Sequence, residues 1–422
     1  MRLARRRRPD MSAAAGWALA LALVGYPVAG LIGSALNWDS ALASIPYRLG
    51  VLALSVVLWT KSPPIRTWAR RSPWLMMFTL LYALRLLWDF GLVGVPGAGE
   101  ALTFYVIGVL IPAAALGLVA GQLREDQAAA AIALMGGLVC VMAVTMYYMD
   151  WGMDRSLTEQ SRRLSFEAVN PITLGHVAVT TIIAAMSVLQ RGRRGWQRGL
   201  APVLVGIALT CLVLAASRAP LLVLGVCGLT YAASTGSWRT RLLFLGAALM
   251  IGTAVVLSTG GETELFVRFS DLEEDDSALQ RLLLQANAIT QFLGSPILGS
   301  AFTELEFLEY PHNLFIETGM ALGMVGLVVM VMLIYVAGVQ FVRRLRAGEV
   351  LVPLLLLQYF VAIQFSGSLW GSTSFWALMA VVLGLQSARA PRPPAFVGRL
   401  QANSPAAPAA PALANAPATP TP

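Results

Sequence analysis

"NLFIETGMALGMVGLVVMVMLIYVAGVQF", residues 313–341, decides the fold, because Glu317 is the only charged side chain in it. Roughly 20 apolar residues are enough to cross the hydrocarbon core of a bilayer as a helix. The whole chain has the same character, since 57% of its 422 residues are apolar, 12% are charged and the mean hydropathy is +0.70. An ordinary soluble domain needs more polar surface than this. The sequence therefore predicts an all-α polytopic integral membrane protein.

About twelve apolar runs of this kind follow one another along the chain, of which the second, seventh and eighth are the shortest. They lie at residues 13–36, 45–60, 74–95, 101–121, 127–149, 170–189, 200–217, 219–235, 241–259, 313–341, 350–366 and 372–387. The predicted organisation is transmembrane helices 1–9 in residues 1–259, a periplasmic loop at 260–312, helices 10–12 in 313–388 and a disordered cytoplasmic tail at 389–422.

The positive charges indicate how these helices are oriented. If each run crosses once and the N-terminal "MRLARRRR" is cytoplasmic, 22 of the 30 Lys and Arg residues lie on the cytoplasmic face, seven on the opposite face, and Arg85 within the third run. This is the bias that the positive-inside rule requires. Both termini are therefore predicted to be cytoplasmic, and the net charge of +8 is an orientation signal that predicts no nucleic-acid partner.

The three cysteines and the first run carry little chemistry. Cys140, Cys211 and Cys227 all fall within apolar runs, a pattern that fits neither a disulfide framework nor a zinc site. The first run is too long for the core of a signal peptide, and we expect it to be retained.

The outer loop at 260–312 contains a predicted amphipathic helix. In "DDSALQRLLLQANAITQFLGSP", Ser277 and Gln280 have the spacing of a capping box, while Gly294 and Pro296 supply a stop. Such a helix would lie along the membrane surface, with Arg281 on its more polar side. The acidic run "DLEEDD" just before it is interpreted as solvated loop, because it lacks the spacing of an EF-hand, and no metal site is predicted.

Four further arginines stand where they could meet an anion. Arg218 is held in the short turn between the seventh and eighth runs, and Arg162 and Arg163 lie shortly before the sixth. Arg85 is deeper, within the third run, where Asp89 one helical turn away could pair with it. Arg85 is therefore either part of a structural ion pair or a member of a pocket, and an anchoring role at the membrane surface stays open for Arg218.

His312, one of two histidines in the chain, lies where the outer loop meets the helix quoted above. Placed in the first helical turn, it would be kept neutral by the positive end of the helix dipole and could act as a base. Asn313 and Glu317 are four residues apart and share a face, so Glu317 could orient polar groups near the site. Gly319 and Gly323 have the GxxxG spacing that allows close helix approach. The other histidine, His176, is interpreted as a hydrogen-bonded packing residue.

Together these motifs carry a family resemblance. "PHNLFIETGMALGMVG" follows "QRLLLQANAITQFLGSPILGS", and "NPITLGH" and "SRAPLLVLG" precede them. The chain resembles the bacterial O-antigen ligase and polymerase superfamily, and within it most closely the lipopolysaccharide O-antigen ligases. The resemblance implies a catalytic His312 and diphosphate binding by Arg218 and Arg281, with Arg162 or Arg163 as a looser match.

The resemblance also implies a reaction at the periplasmic face of the bacterial inner membrane. A metal-independent glycosyltransferase would move a glycan from undecaprenyl diphosphate to a sugar hydroxyl of lipid A-core, with inversion and without a nucleotide or other cofactor. Arginine forks suit the departing diphosphate, and a base is needed to activate the hydroxyl. The substrate-facing set would be Arg218, Arg281, Arg163, Arg162, Asn313, Arg85 and Glu317.

Two alternatives stay open. An O-antigen or exopolysaccharide polymerase would use the same donor and the same residues with a lipid-linked glycan as acceptor. A transporter for the lipid-linked glycan is a different class, in which broken helices and ionisable groups lie near the middle of the membrane. The polar residues of this chain gather at the outer face instead, which favours an enzyme.

Overall fold

The computed structural model of this chain describes residues 11–62, 72–154, 163–191, 195–234 and 276–385. These residues form twelve helices and no extended β-sheet, which confirms the all-α prediction for the part described. Their bounds are α1 Ser12–Ala35, α2 Ser40–Thr60, α3 Pro73–Val93, α4 Ala98–Gln122, α5 Glu125–Tyr148, α6 Pro171–Arg191, α7 Gly195–Ala215, α8 Arg218–Ser234, α9 Asp276–Gly294, α10 Leu314–Arg346, α11 Leu351–Ala362 and α12 Thr373–Gly384.

Eight of the helices are long and apolar enough to cross a membrane, namely α1 to α7 and α10. The predicted eleventh and twelfth runs form helices of only 12 residues each, α11 and α12. A helix of that length is roughly 18 Å long, shorter than the ~30 Å hydrocarbon core. Both helices are shorter than the predicted runs, because residues 363–372 between them form a loop. The predicted ninth run at 241–259, most of the acidic run and the tail at 389–422 lie outside the described residues.

Proline and asparagine fix the start of α6, where the sixth apolar run was predicted to begin. Pro171 occupies the first helical position, where its missing N–H is not needed. The Asn170 side chain accepts a hydrogen bond from the Thr173 N–H at 2.8 Å. Asn170 therefore caps this helix.

Small residues allow the central helices to pack closely. α6 lies against α5 and α7, and α12 lies against α4. A Cβ on Gly136 of α5 would stand 2.2 Å from the Thr181 hydroxyl oxygen of α6, and one on Gly384 of α12 would stand 2.3 Å from the Gly117 carbonyl oxygen of α4. Such contacts are the usual basis of helix association in membranes.

One end of the bundle is tied by ion pairs. Arg191 at the end of α6 contacts the Glu125 carboxylate at the start of α5 and also the Gly348 carbonyl in the turn after α10. Arg344 pairs with Glu349, and its guanidinium donates to the Leu385 carbonyl at 2.8 Å. We call this the clamped end. The sites described below lie at the other end, which we call the site end.

α10 is not the continuous helix that the sequence predicted. Gly323 has φ 63° and ψ −158°, so the helix breaks there. Residues 296–300 lie against the break: the Met324 N–H donates to the Pro296 carbonyl at 2.8 Å, and the Ser300 N–H donates to the Met320 carbonyl at 2.9 Å. The close approach that GxxxG spacing allows is therefore made by a loop rather than by a second helix. Main-chain groups freed by the break find new partners, which an apolar environment requires.

Two glycines make this contact, and both have positive φ. A Cβ on Gly323 would stand 2.3 Å from the Ile297 carbonyl oxygen, and one on Gly299, whose φ is 74°, would stand 2.4 Å from the Ala321 carbonyl carbon. Both neighbours are backbone atoms, which cannot rotate away. Only glycine fits either position without strain.

We predict that Gly323→Ala and Gly299→Ala each destabilise the protein by about 2 kcal/mol or more, since the left-handed conformation and overpacking each cost about 1–3 kcal/mol. The measurement is thermal unfolding in detergent. Gly338→Ala, in the same helix with open space around it, is the matched control and should be neutral or slightly stabilising. Equal melting temperatures for all three variants would show that the break is not sterically required.

Candidate functional site

The segment 163–170 crosses the site end of the bundle. The Leu164 N–H donates to the Leu214 carbonyl at 3.0 Å, near the end of α7, and the Tyr26 hydroxyl of α1 donates to the Ala168 carbonyl at 2.9 Å. Arg163 precedes Leu164, and Arg218 begins α8 four residues after Leu214. The hydrogen bond between Leu164 and Leu214 therefore joins the two backbone segments that carry Arg163 and Arg218. Arg162 lies outside the described residues.

Arg85 organises the loop that enters the break in α10. Its guanidinium donates to the carbonyl oxygens of Leu298, Ser300 and Gly299 at 2.7, 3.1 and 3.2 Å. It also pairs with Asp89 at 3.4 Å, as the sequence predicted. Asp89 in turn accepts the Phe302 N–H at 2.8 Å. The guanidinium thus bonds to three main-chain carbonyl groups and one carboxylate. These bonds give Arg85 a structural role, since they hold the loop at 298–300 against α3.

A second carboxylate shapes the next turn of the same loop. Glu304 is buried, and its two oxygens accept the N–H groups of Glu306 and Phe307 at 2.7 and 2.8 Å. Gln291 of α9 donates to the Thr303 carbonyl and accepts from the Leu305 N–H. The loop and α9 therefore hold each other in place. The turn exposes three apolar side chains, those of Leu305, Phe307 and Leu308.

α9 is the amphipathic helix that the sequence predicted, and its two faces have different neighbours. Leu284 and Ala288 are buried, and Arg281 lies one turn before Leu284 on the same face, half-buried. The helix packs on α10. The exposed face carries Leu279, Leu282, Leu283, Ile289 and Leu293. A helix at a membrane surface presents such a face to lipid, while Arg281 points toward the protein.

His312 occupies the position before the cap of α10 rather than its first turn. Its φ is 54°, in the left-handed region that non-glycine residues rarely adopt. Asn313 is the cap, because its Oδ1 accepts the N–H groups of Phe315 and Ile316 at 3.1 and 3.2 Å. The imidazole lies against the Tyr310 ring, with 4.5 Å between centroids. Strained conformations of this kind cluster at functional sites.

The environment of His312 favours its neutral form. Burial, and then the positive charge of Arg281, lower the pKa of His312 from 6.5 to about 4. Burial also raises the pKa of Tyr310 above its usual 10.0. The His312 Nδ1 is buried and meets no hydrogen-bond partner among the described residues. At neutral pH the imidazole is therefore an uncharged group held beside a guanidinium.

Glu317 is fully buried and links α10 to the loop between α11 and α12. Its Oε1 accepts the Leu369 N–H at 2.8 Å, and the Tyr82 hydroxyl of α3 lies beside the carboxyl. Tyr82 packs on Tyr105 of α4, with 5.1 Å between ring centroids. The carboxyl is thus enclosed by protein and bonded to backbone.

The predicted site residues fall into two groups at the site end. One contains His312, Asn313 and Arg281, with Glu317 buried beneath them; the other contains Arg163 and Arg218. Arg85 belongs to the first group through the loop that it holds. His176 lies within the bundle, where its carbonyl, rather than its ring, accepts from Gln358 at 2.8 Å.

An aromatic series that the sequence did not predict lies beside His312. The Tyr310 ring contacts Trp370 at 6.4 Å, Trp370 contacts Phe104 at 5.6 Å, and the Arg48 guanidinium lies 4.7 Å above the Phe104 ring. Tyr310 could have been chosen for its place two residues before His312. Nothing in the sequence connects Trp370 or Arg48 with that position, because Trp370 lies in the loop after α11 and Arg48 lies in α2, both distant from His312 along the chain.

Within the described ranges, no three His, Cys, Asp or Glu side chains gather as metal ligands would. Residues 271–275 of the acidic run lie outside those ranges.

Comparison with known proteins gives one finding. Residues 203–331 match the family model described as O-antigen ligase. No curated protein matches the chain. The matched stretch includes Arg218 at the start of α8, Arg281 on α9, and His312 with the first part of α10. The match confirms the resemblance carried by the sequence motifs: over residues 203–331 this membrane-helical chain is similar to the O-antigen ligase family.

Proposed function

We propose that the protein is a lipopolysaccharide O-antigen ligase of the bacterial inner membrane. It transfers a glycan from undecaprenyl diphosphate to a sugar hydroxyl of lipid A-core at the periplasmic face. The observation that carries this proposal is a neutral, conformationally strained His312 at the start of α10, beside Arg281 on α9. A neutral imidazole can accept a proton, and a guanidinium can bind a diphosphate.

In this proposal the histidine and the arginines have separate roles in the reaction. His312 takes the proton from the acceptor hydroxyl as its oxygen attacks the anomeric carbon. The bond from that carbon to the diphosphate breaks on the opposite face, so the configuration inverts. Arg281, Arg218 and Arg163 stabilise the charge on the departing diphosphate. Since Nδ1 is buried, Nε2 is the nitrogen that accepts the proton. The donor carries its own leaving group, so no nucleotide is required, and we propose that no metal is required either.

The remaining predicted residues act indirectly in this proposal. Asn313 caps α10 and so fixes the backbone next to His312. Arg85 holds the loop at 298–300, and Glu317 holds the loop at 369. These three residues position the site without touching the diphosphate.

The break in α10 does not favour a transporter. Discontinuous helices of transporters use their free ends to bind ions or substrates. Here the Val325 N–H donates to the Ile297 carbonyl at 3.3 Å, in addition to the Met324 and Ser300 bonds. The main-chain groups at the break are thus hydrogen-bonded to the loop rather than free to bind a substrate, which supports a structural role for the break.

The lipopolysaccharide pattern of a deletion strain tests ligase against polymerase. A ligase predicts loss of all O-antigen-bearing lipopolysaccharide while the lipid-linked glycan accumulates. A polymerase predicts lipopolysaccharide with a single repeat unit. A transporter predicts that O-antigen-bearing lipopolysaccharide is lost while the lipid-linked glycan accumulates on the cytoplasmic rather than the periplasmic face, and that result would contradict both enzymes.

We predict that His312→Asn reduces the transfer rate by about 10²- to 10⁴-fold, the usual contribution of positioned acid–base catalysis. Asparagine tolerates the left-handed conformation better than most residues, so the fold should survive, but an amide is not a base. Reconstituted transfer assays measure the rate, with donor binding and thermal unfolding as controls. Near-normal transfer by this variant, or loss of transfer through loss of donor binding, would exclude His312 as the base.

A second prediction concerns pH. The base is active above its pKa, so kcat/KM, which reports the free enzyme, should fall only as pH drops toward about 4. Bound diphosphate offsets the charge of Arg281, so the acid limb of kcat should lie at higher pH than that of kcat/KM. In Arg281→Gln the kcat/KM limb should move upward, yet stay below 6.5, because burial is the larger cause of the shift. Identical limbs in both proteins would show that Arg281 does not act on His312.

A further inference from the structure

The loop between α11 and α12, residues 363–372, belongs to the same site although it lies beyond the matched residues 203–331. Two bonds fix it at Leu369: its N–H donates to the buried Glu317 carboxylate at 2.8 Å, and its carbonyl accepts from the Trp376 indole at 2.8 Å. Trp370 is the next residue. Its backbone is therefore anchored to α10 five residues after His312.

Trp370 stands edge to face with two other rings. Its ring lies at 90° to that of Tyr310, with centroids 6.4 Å apart, and at 87° to that of Phe104, with centroids 5.6 Å apart. Tyr310 is in turn 4.5 Å from the His312 ring. Trp370 is only partly buried, so part of the indole remains accessible. The three rings make a rigid aromatic surface that begins at His312.

This surface combines apolar ring faces with polar edges. The Tyr310 phenol and the Trp370 indole N–H can bond to hydroxyl groups, while their ring faces can cover apolar C–H groups. A pyranose ring offers that combination, with hydroxyls around its edge and C–H groups on its faces. A hydrocarbon chain would leave the polar edges unsatisfied.

We propose that Trp370 and Tyr310 form a binding wall for the pyranose ring that is presented to His312. This inference rests on the proposed function for the identity of the reaction, but the wall itself is a glycan-binding site and can be tested without transfer. The pyranose could belong to the acceptor core or to the donor glycan. The wall would set the angle at which the sugar meets the base.

Binding of soluble probes separates the two sources. The probes are core oligosaccharide freed of lipid A, and a short-chain prenyl diphosphate carrying one glycan repeat, each titrated against the purified full-length protein in detergent. Trp370→Leu and Tyr310→Leu should each weaken one probe by about three- to tenfold, as expected for one aromatic contact. Trp370→Phe and Tyr310→Phe keep a ring but lose the polar edge, so their affinity should lie between those of wild type and the leucine variants. The weakened probe identifies the sugar.

Trp196→Leu is the matched control, because this tryptophan is 53% exposed and starts α7 at the clamped end. It should bind both probes normally. Thermal unfolding checks that the Trp370 variants fold. If wild type binds neither probe, or if the leucine variants bind both as wild type does, the wall is refuted whatever the outcome for His312→Asn. If the leucine variants bind one probe more weakly but the wild-type protein transfers no glycan, the wall stands and the ligase assignment fails.

Discussion

The hydrogen bonds between residues 296–300 and the break in α10 are the constraint on which the site depends. A helix interrupted in an apolar environment must find partners for the main-chain groups it frees. The loop supplies them, and Arg85 holds the loop by three carbonyl groups. Since α9 precedes this loop directly and His312 follows it by a dozen residues, the same contacts decide where Arg281 and the imidazole meet. The placement of Arg281 and His312 at the site end thus depends on a contact between main-chain groups of the protein itself.

The neutrality of His312 has a different origin from the one that the sequence indicated. Proximity to a helix start suggested the dipole as the cause. The structure places His312 before the cap, and burial is the larger influence, with Arg281 second. Both depend on side chains from other elements. An anionic ligand at Arg281 would therefore act on the imidazole as well, so the two residues form one electrostatic unit.

Local patterns predicted local features well. The apolar run at 170–189 predicted α6, the stop at Gly294 predicted the end of α9, and the spacing of Arg85 and Asp89 predicted their ion pair. The break at Gly323 was not predictable, because a glycine that packs against a helix and one that breaks a helix give the same sequence signal. Trp370 was missed because only the folding of α10 against α12 brings it to Tyr310, and no periodicity reports contacts between distant segments.

The position of Gly323 also explains how α10 can both span the membrane and carry buried polar side chains. From Met324 to Arg346 the helix contains about 23 residues, or ~34 Å, enough to cross a bilayer core of ~30 Å without help. The helical turns before Gly323 are therefore not needed to span the bilayer, and they can contain polar side chains. Glu317 and Thr318 stand in those turns, fully enclosed by protein. A single residue without a side chain thus separates a helical segment long enough to span the membrane from a segment whose polar side chains are enclosed by protein.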